Sequence, residues 1–120
     1  MISAMDQTIV KAFLDAVQAW TLDGATACML AGVPQDLVSD WESWATMKFG
    51  QESLARMRMV AQIRTALDIS WSPSLASQWM SLPNRGEIFK GISPVDYIQK
   101  HHWPGLYTVL CQVQAWAVGN

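Results

Sequence analysis

The chain has 120 residues, of which 51% are hydrophobic and 15% charged, with a mean hydropathy of +0.11 and a net charge of −2. A charged fraction so low beside so many apolar residues excludes an intrinsically disordered chain and leaves enough side chains to build a core. The length suits one compact domain or two very small ones, and no uncharged apolar run of about 18 residues is present to form a membrane helix.

Taken in order, the elements read as helices. Ser3 or Asp6 can cap a first helix reaching Trp20, with Ile9, Val10, Phe13, Leu14, Val17 and Trp20 at steps of three and four. The same stretch interleaves Asp6, Lys11 and Asp15 with its apolar positions. It therefore lacks the continuous apolar core of a secretory leader, and a cytoplasmic protein is expected. Asp23 can cap a short second helix ending at Gly32. Pro34 suits the start of a third, whose stripe would be Leu37, Val38, Trp41, Trp44 and Ala45, broken at Gly50. A fourth runs from Glu52 to Ser70, with Leu54, Met57, Ala61, Ile63, Ala66 and Leu67 inward. Ser72-Pro73 opens a fifth through Trp79 and Met80, Ser93-Pro94 a sixth and Trp103-Pro104 a seventh. Leu106, Tyr107, Val109, Leu110, Val113, Trp116 and Ala117 form the apolar face of that last helix. Leu82 to Ile92 is the longest non-helical stretch, with one proline and two glycines. No segment alternates with the period of a strand. The expectation is an all-α chain of about seven helices, with residues 1–50 and 51–120 as two regions packed as one compact body.

Gly24 to Ser43 has the spacing of a helix-turn-helix, with small Cys28 in the first helix, Gly32 at the turn and Val38 and Trp41 packing back. The second helix of such a unit reads DNA. Here its outer face would be Gln35, Asp36, Ser39, Asp40 and Ser43, with Glu42 beside it. Gln35 has the groups to read an adenine edge, and Ser39 and Ser43 complete the candidate DNA-binding set. Charge opposes that use. Lys11 is the lone base in residues 1–47 against Asp6, Asp15, Asp23, Asp36, Asp40 and Glu42, while residues 48–120 carry seven bases and four acids. Carboxylates facing phosphates oppose binding. The motif therefore reads as a vestigial unit kept for packing or dimerisation, ahead of a DNA reader.

Chemistry-bearing motifs are absent. No glycine-rich phosphate loop, zinc-protease helix or nucleophile elbow occurs, and no enzyme, cofactor or metal site is expected. Asp36 and Asp40 read as a solvated face, and Cys28 and Cys111 as two reduced, buried thiols. Adjacent His101 and His102 diverge on a helix and read as a solvated pair near its C-terminus. Seven tryptophans are more than so small a domain easily hides, and their surplus points to self-association or a protein partner.

Trp79-Met80-Ser81-Leu82-Pro83-Asn84, followed by Ile88-Phe89-Lys90-Gly91-Ile92-Ser93-Pro94-Val95-Asp96-Tyr97-Ile98, resembles the toxin-binding domain of Xre/MbcA/ParS antitoxins. That pattern is a Trp-aliphatic pair, Pro-Asn, an aromatic, Gly, Ser-Pro and an aliphatic helix. The likeness covers residues 52–117, and the degenerate helix-turn-helix stands where the family has its Xre-like unit. It implies an antitoxin whose C-terminal region covers the NAD pocket of a RES-domain toxin, an NAD-consuming enzyme. It also implies a homo-oligomer, since members of that family often dimerise, and, in some members, repression of their own operon, which the acidic second helix here opposes. A DNA-binding regulator and an orphan helical adaptor are the alternatives. The residues expected to face the toxin are Asn84, Arg85, Phe89, Lys90 and Trp116, together with the tail ending at Asn120.

Overall fold

The computed structural model describes residues 3–36 and 41–119, the side chains of 41 and 42 excepted. Among them no strand forms. Five α-helices are present, α1 (Ala4–Ala19), α2 (Gly24–Ala31), α3 (Gln51–Ser70), α4 (Pro73–Gln78) and α5 (Pro94–Ala117), with 3₁₀ segments at Trp41–Thr46 and Trp79–Ser81. The chain divides into two compact units, Met1–Ala61 and Gln62–Asn120, and α3 contributes residues to both.

In the first unit, Ser3 rather than Asp6 caps α1: its hydroxyl accepts the Asp6 N–H at 3.0 Å, which satisfies an otherwise orphan donor. Val10, Phe13, Leu14, Val17 and Trp20 of the predicted stripe are buried, with Ala16 beside them, while Ile9 is half-buried. Asp23 caps α2 by accepting the Thr26 N–H at 2.7 Å. Those hydrogen bonds stabilise the carboxylate and hold its pKa below the usual value. Helix α2 ends at Gly32, whose φ of 71° is left-handed, and the Val33 N–H then reaches back to the Cys28 carbonyl at 3.0 Å.

Arg56 completes that helix end. It is 6% exposed, its Nε donates to the Leu30 carbonyl at 2.8 Å and its Nη2 to the Met29 carbonyl at 3.0 Å. A cation among the free carbonyls of a helix C-terminus is favoured by hydrogen bonding and by the helix dipole. Burial pushes the guanidinium pKa down, with Glu52 opposing. Gly32 also makes room for this arrangement, since a Cβ there would lie 3.0 Å from Cδ and Nε of Arg56.

The third helix departs from expectation. Its predicted stripe residues Leu37 and Val38 lie outside the described residues, and the segment from Trp41 to Thr46 is a 3₁₀ helix. Within this segment Ser43 and Thr46 are residue types whose hydroxyls offer the backbone competing hydrogen bonds and disfavour a regular α-helix. Thr46 Oγ1, for one, donates to the Ser43 carbonyl at 3.1 Å. The tighter winding still buries Trp44, which stacks on Phe13 at 6.0 Å with an interplanar angle of 8° and meets Phe49 at 5.5 Å. The described residues therefore show an α-helix followed by a 3₁₀ segment, and they do not display the second helix of a helix-turn-helix.

In the second unit, Ile63, Ala66 and Leu67 of α3 are buried. Ser72 and Ser93 cap α4 and α5, each directly before a proline at the helix start. The predicted sixth and seventh helices are joined in α5, with one break at His102, whose φ of 58° and ψ of −133° are not helical. The break places Pro104 in the first turn of the following segment, where its missing N–H is tolerated. Gly105 fits because the turn closes on itself: a Cβ there would lie 2.8 Å from the His101 Cβ. Beyond it Leu106, Val109, Leu110 and Val113 are buried. Cys111 falls off that stripe and is exposed, so the expectation of two buried thiols holds for Cys28 alone. Tyr107, expected on the same apolar face, is 58% exposed for the same angular reason.

Candidate functional site

The loop between the 3₁₀ segment and α5 is built by Asn84. Its side-chain carbonyl accepts the Gly86 N–H at 2.8 Å. Its backbone N–H donates to the Ile92 carbonyl at 3.1 Å, and its own carbonyl accepts the Gly91 N–H at 2.7 Å. The Lys90 N–H closes onto the Gly86 carbonyl at 2.9 Å. One asparagine thus ties both strands of the loop together, a use of local side-chain bonding to which this residue type is suited. Lys90 takes a left-handed φ of 53°, and Gly91 follows at 95°. A lysine there is mildly strained where glycine would not be.

Aromatic rings support the loop from beneath. Trp71 meets Trp116 edge-on at 5.9 Å, Trp116 meets Trp79 at 5.6 Å, Trp79 meets Phe89 at 5.8 Å and Phe89 meets Tyr97 at 5.2 Å. His101 continues the series, tilted over Tyr97 at 4.3 Å. Edge-to-face contacts of this kind add stabilisation beyond the apolar area they bury. The Trp-aliphatic pair of the motif has a structural reason: Trp79 and Met80 are both buried, and Trp79 bridges two other rings.

On this base an open pocket of about 270 Å³ is lined by Asn84, Gly86, Glu87, Ile88, Phe89, Gln112 and Trp116. Asn84, Phe89 and Trp116, three residues expected to face a toxin, are therefore gathered at one place. Phe89 is 3% exposed and contributes mainly as the floor, while Trp116 is half-buried. Arg85 and Lys90 are exposed, each next in sequence to a lining residue. Asn120 lies outside the described residues.

Of the candidate DNA-reading residues, Gln35 is exposed and Ser43 half-buried in the 3₁₀ segment, its hydroxyl 3.8 Å from Met47 Sδ. Ser39 lies outside the described residues. The described part of this set is not presented on one α-helix.

Sequence reasoning missed Arg56 and the ring series. The first bonds across more than twenty residues of chain, and the second needs α3, α4 and α5 to converge. The tryptophan surplus was a usable signal for the rings: Trp20, Trp44 and Trp79 are buried, Trp71 and Trp116 half-buried, and Trp103 is 41% exposed.

No family model matches the chain, and no curated protein or solved structure is significantly similar to it. No helix among the described residues is long and apolar enough to cross a membrane.

Proposed function

We propose that this chain is an antitoxin that binds a RES-like NAD-degrading toxin and blocks its active site, without catalysis or a cofactor of its own. One observation supports the reading above others. Asn84 and Phe89 of one loop and Trp116 of the last helix line one pocket beside the exposed cations Arg85 and Lys90. A pocket with an aromatic floor, amide groups and charged neighbours suits a protein partner's anchoring side chain. Asn84 acts in this reading as the residue that shapes the loop, and Arg85, Lys90 and Trp116 as those that meet the toxin.

The test is co-expression with a RES-type reading frame adjacent to the gene. The pair is expected to co-purify, and cellular NAD is expected to survive toxin induction. Two single variants, Arg85→Glu and Lys90→Gly, sharpen the test. The second removes the cation while giving φ of 53° the residue it suits. Both are expected to remain folded and to lower protection. Failure of the wild-type pair to associate overturns the proposal, and full protection by both variants moves the binding surface elsewhere.

A further inference from the structure

The walls of the pocket at the Asn84 loop restrict what can enter it. Among the described lining residues, Glu87 alone carries a formal charge, and it is exposed. Phe89 and Trp116 supply aromatic surface and Ile88 aliphatic surface. Trp116 is held by edge-on contacts with Trp71 and Trp79, so its ring is in place before a guest arrives. The Gln112 side-chain amide is half-buried and makes no hydrogen bond among the described residues, which leaves its oxygen as a second acceptor beside the carboxylate. Loop N–H groups that could hold an anion are already committed. Gly86 donates to Asn84 Oδ1, Lys90 to the Gly86 carbonyl and Gly91 to the Asn84 carbonyl. The Glu87 carboxylate repels an anion as well.

We propose that this pocket takes an arginine side chain of the partner protein. The inference rests on the pocket being the toxin-binding surface, and it names the group of the toxin that enters. Glu87 selects a cation by charge complementarity. The rest of the lining selects a guanidinium over an ammonium. A guanidinium is planar, weakly hydrated and stacks on aromatic rings, whereas an ammonium is a compact and strongly hydrated point charge. Its fan of donors also serves two acceptors at once, here on the loop and on α5. Arg85 and Lys90 neighbour lining residues in sequence but do not line the pocket. Their long side chains are solvated, and screening weakens their repulsion of the guest. Outside the pocket they face acidic groups of the partner. A cation received at one point and cations presented beside it fix the orientation in which the two proteins dock.

The experiment titrates the whole chain with N-acetyl-arginine methylamide and follows the backbone amides of Gly86, Glu87 and Ile88 and the Trp116 indole N–H by heteronuclear NMR. Shifts centred on these groups are expected, saturating in the millimolar range, with the lysine analogue weaker and the uncharged citrulline analogue at least about threefold weaker than arginine. Glu87→Gln alters an exposed side chain and is expected to stay folded by circular dichroism. It is expected to weaken the arginine analogue by about threefold. In the toxin complex, where the pair is desolvated, it is expected to lower affinity about tenfold, and Glu87→Arg to lower it further. Equal binding of the analogues overturns the proposal, as do shifts that Glu87→Gln leaves unchanged or a preference for the glutamate analogue. Full affinity of both Glu87 variants for the toxin overturns it too, and leaves the toxin reading intact. Failure of the wild-type chain to bind a toxin, with arginine selectivity retained, overturns the toxin reading alone and assigns the arginine to a different protein.

Discussion

The two units of this protein handle their polar groups in opposite ways. In the first, the distinctive cation is inside. Arg56 is buried and spends its hydrogen bonds on the end of α2. In the second, Arg85 and Lys90 are exposed on a loop, and burial is left to rings. A buried cation bonded to helix-end carbonyls stabilises its surroundings, whereas an exposed cation over a firm base is available to a partner. The first unit thus uses its cation to hold its own fold, and the second leaves its cations on the side where the proposed partner would bind.

The largest expected effect tests the base of the Asn84 loop. Trp79→Ala removes a side chain 7% exposed that touches both Phe89 and Trp116. Loss of a buried tryptophan of this kind destabilises by about 3–5 kcal/mol. Denaturant unfolding checks the magnitude, and hydrogen exchange at the Lys90 and Gly91 amides checks the location. If those amides keep their protection, the rings do not hold the loop.

Arg56→Ala is next. It leaves the Leu30 and Met29 carbonyls without their donor and opens space under Gly32, so about 3 kcal/mol is expected. Arg85→Ala, by contrast, is expected to stay within about 0.5 kcal/mol, as for ordinary surface changes. Equal effects of the two substitutions in urea titrations would erase the contrast between the units.

A smaller change runs in the other direction. His102 occupies a φ of 58° with ψ of −133°, a region that suits glycine and strains other residues. His102→Gly relieves that strain but adds freedom to the unfolded chain. The balance is a gain of about 1 kcal/mol, read as a rise in melting temperature. A loss instead would show that the imidazole has contacts worth more than the strain.

These elements differ in how far the sequence announces them. Ser3, Asp23, Ser72 and Ser93 each cap a helix within three residues of themselves, and such local chemistry is legible in a single chain. The Asn84 loop was legible for the same reason: its bonds stay within Asn84 to Ile92. Arg56 was not, because its partners lie on another helix and nothing nearby marks it. The 3₁₀ segment at Trp41–Thr46 was misread because a three-residue spacing of tryptophans fits an α-helix and a 3₁₀ helix alike. The gathering of Asn84, Phe89 and Trp116 was approached through the resemblance, while the pocket itself depends on how α5 returns to the loop.

The smallest predicted effect concerns acid and the first unit. The Asp23 carboxylate accepts the Thr26 N–H and is held below its ordinary pKa, mainly by that backbone bond, with the Thr26 side chain adding to it. A carboxyl whose pKa is lower folded than unfolded contributes stability at pH values above the unfolded pKa, about 3.9. As pH falls through that value toward the folded pKa, the unfolded chain takes up a proton first while the folded carboxylate stays ionised in its cap, so the contribution declines and is gone once the folded carboxyl is protonated too. Asp23→Asn keeps an oxygen that can cap α2 but cannot titrate. Near neutrality the variant is therefore expected to lie within about 0.5 kcal/mol of the wild type, since both residues are good caps. Below pH 4 the difference between the two is expected to shift in favour of the variant. Parallel urea titrations at pH 7 and pH 3 measure that shift. An unchanged difference at the two pH values would mean that Asp23 is not the acid-sensitive cap of α2, and that the first unit's response to acid resides in another of its carboxylates.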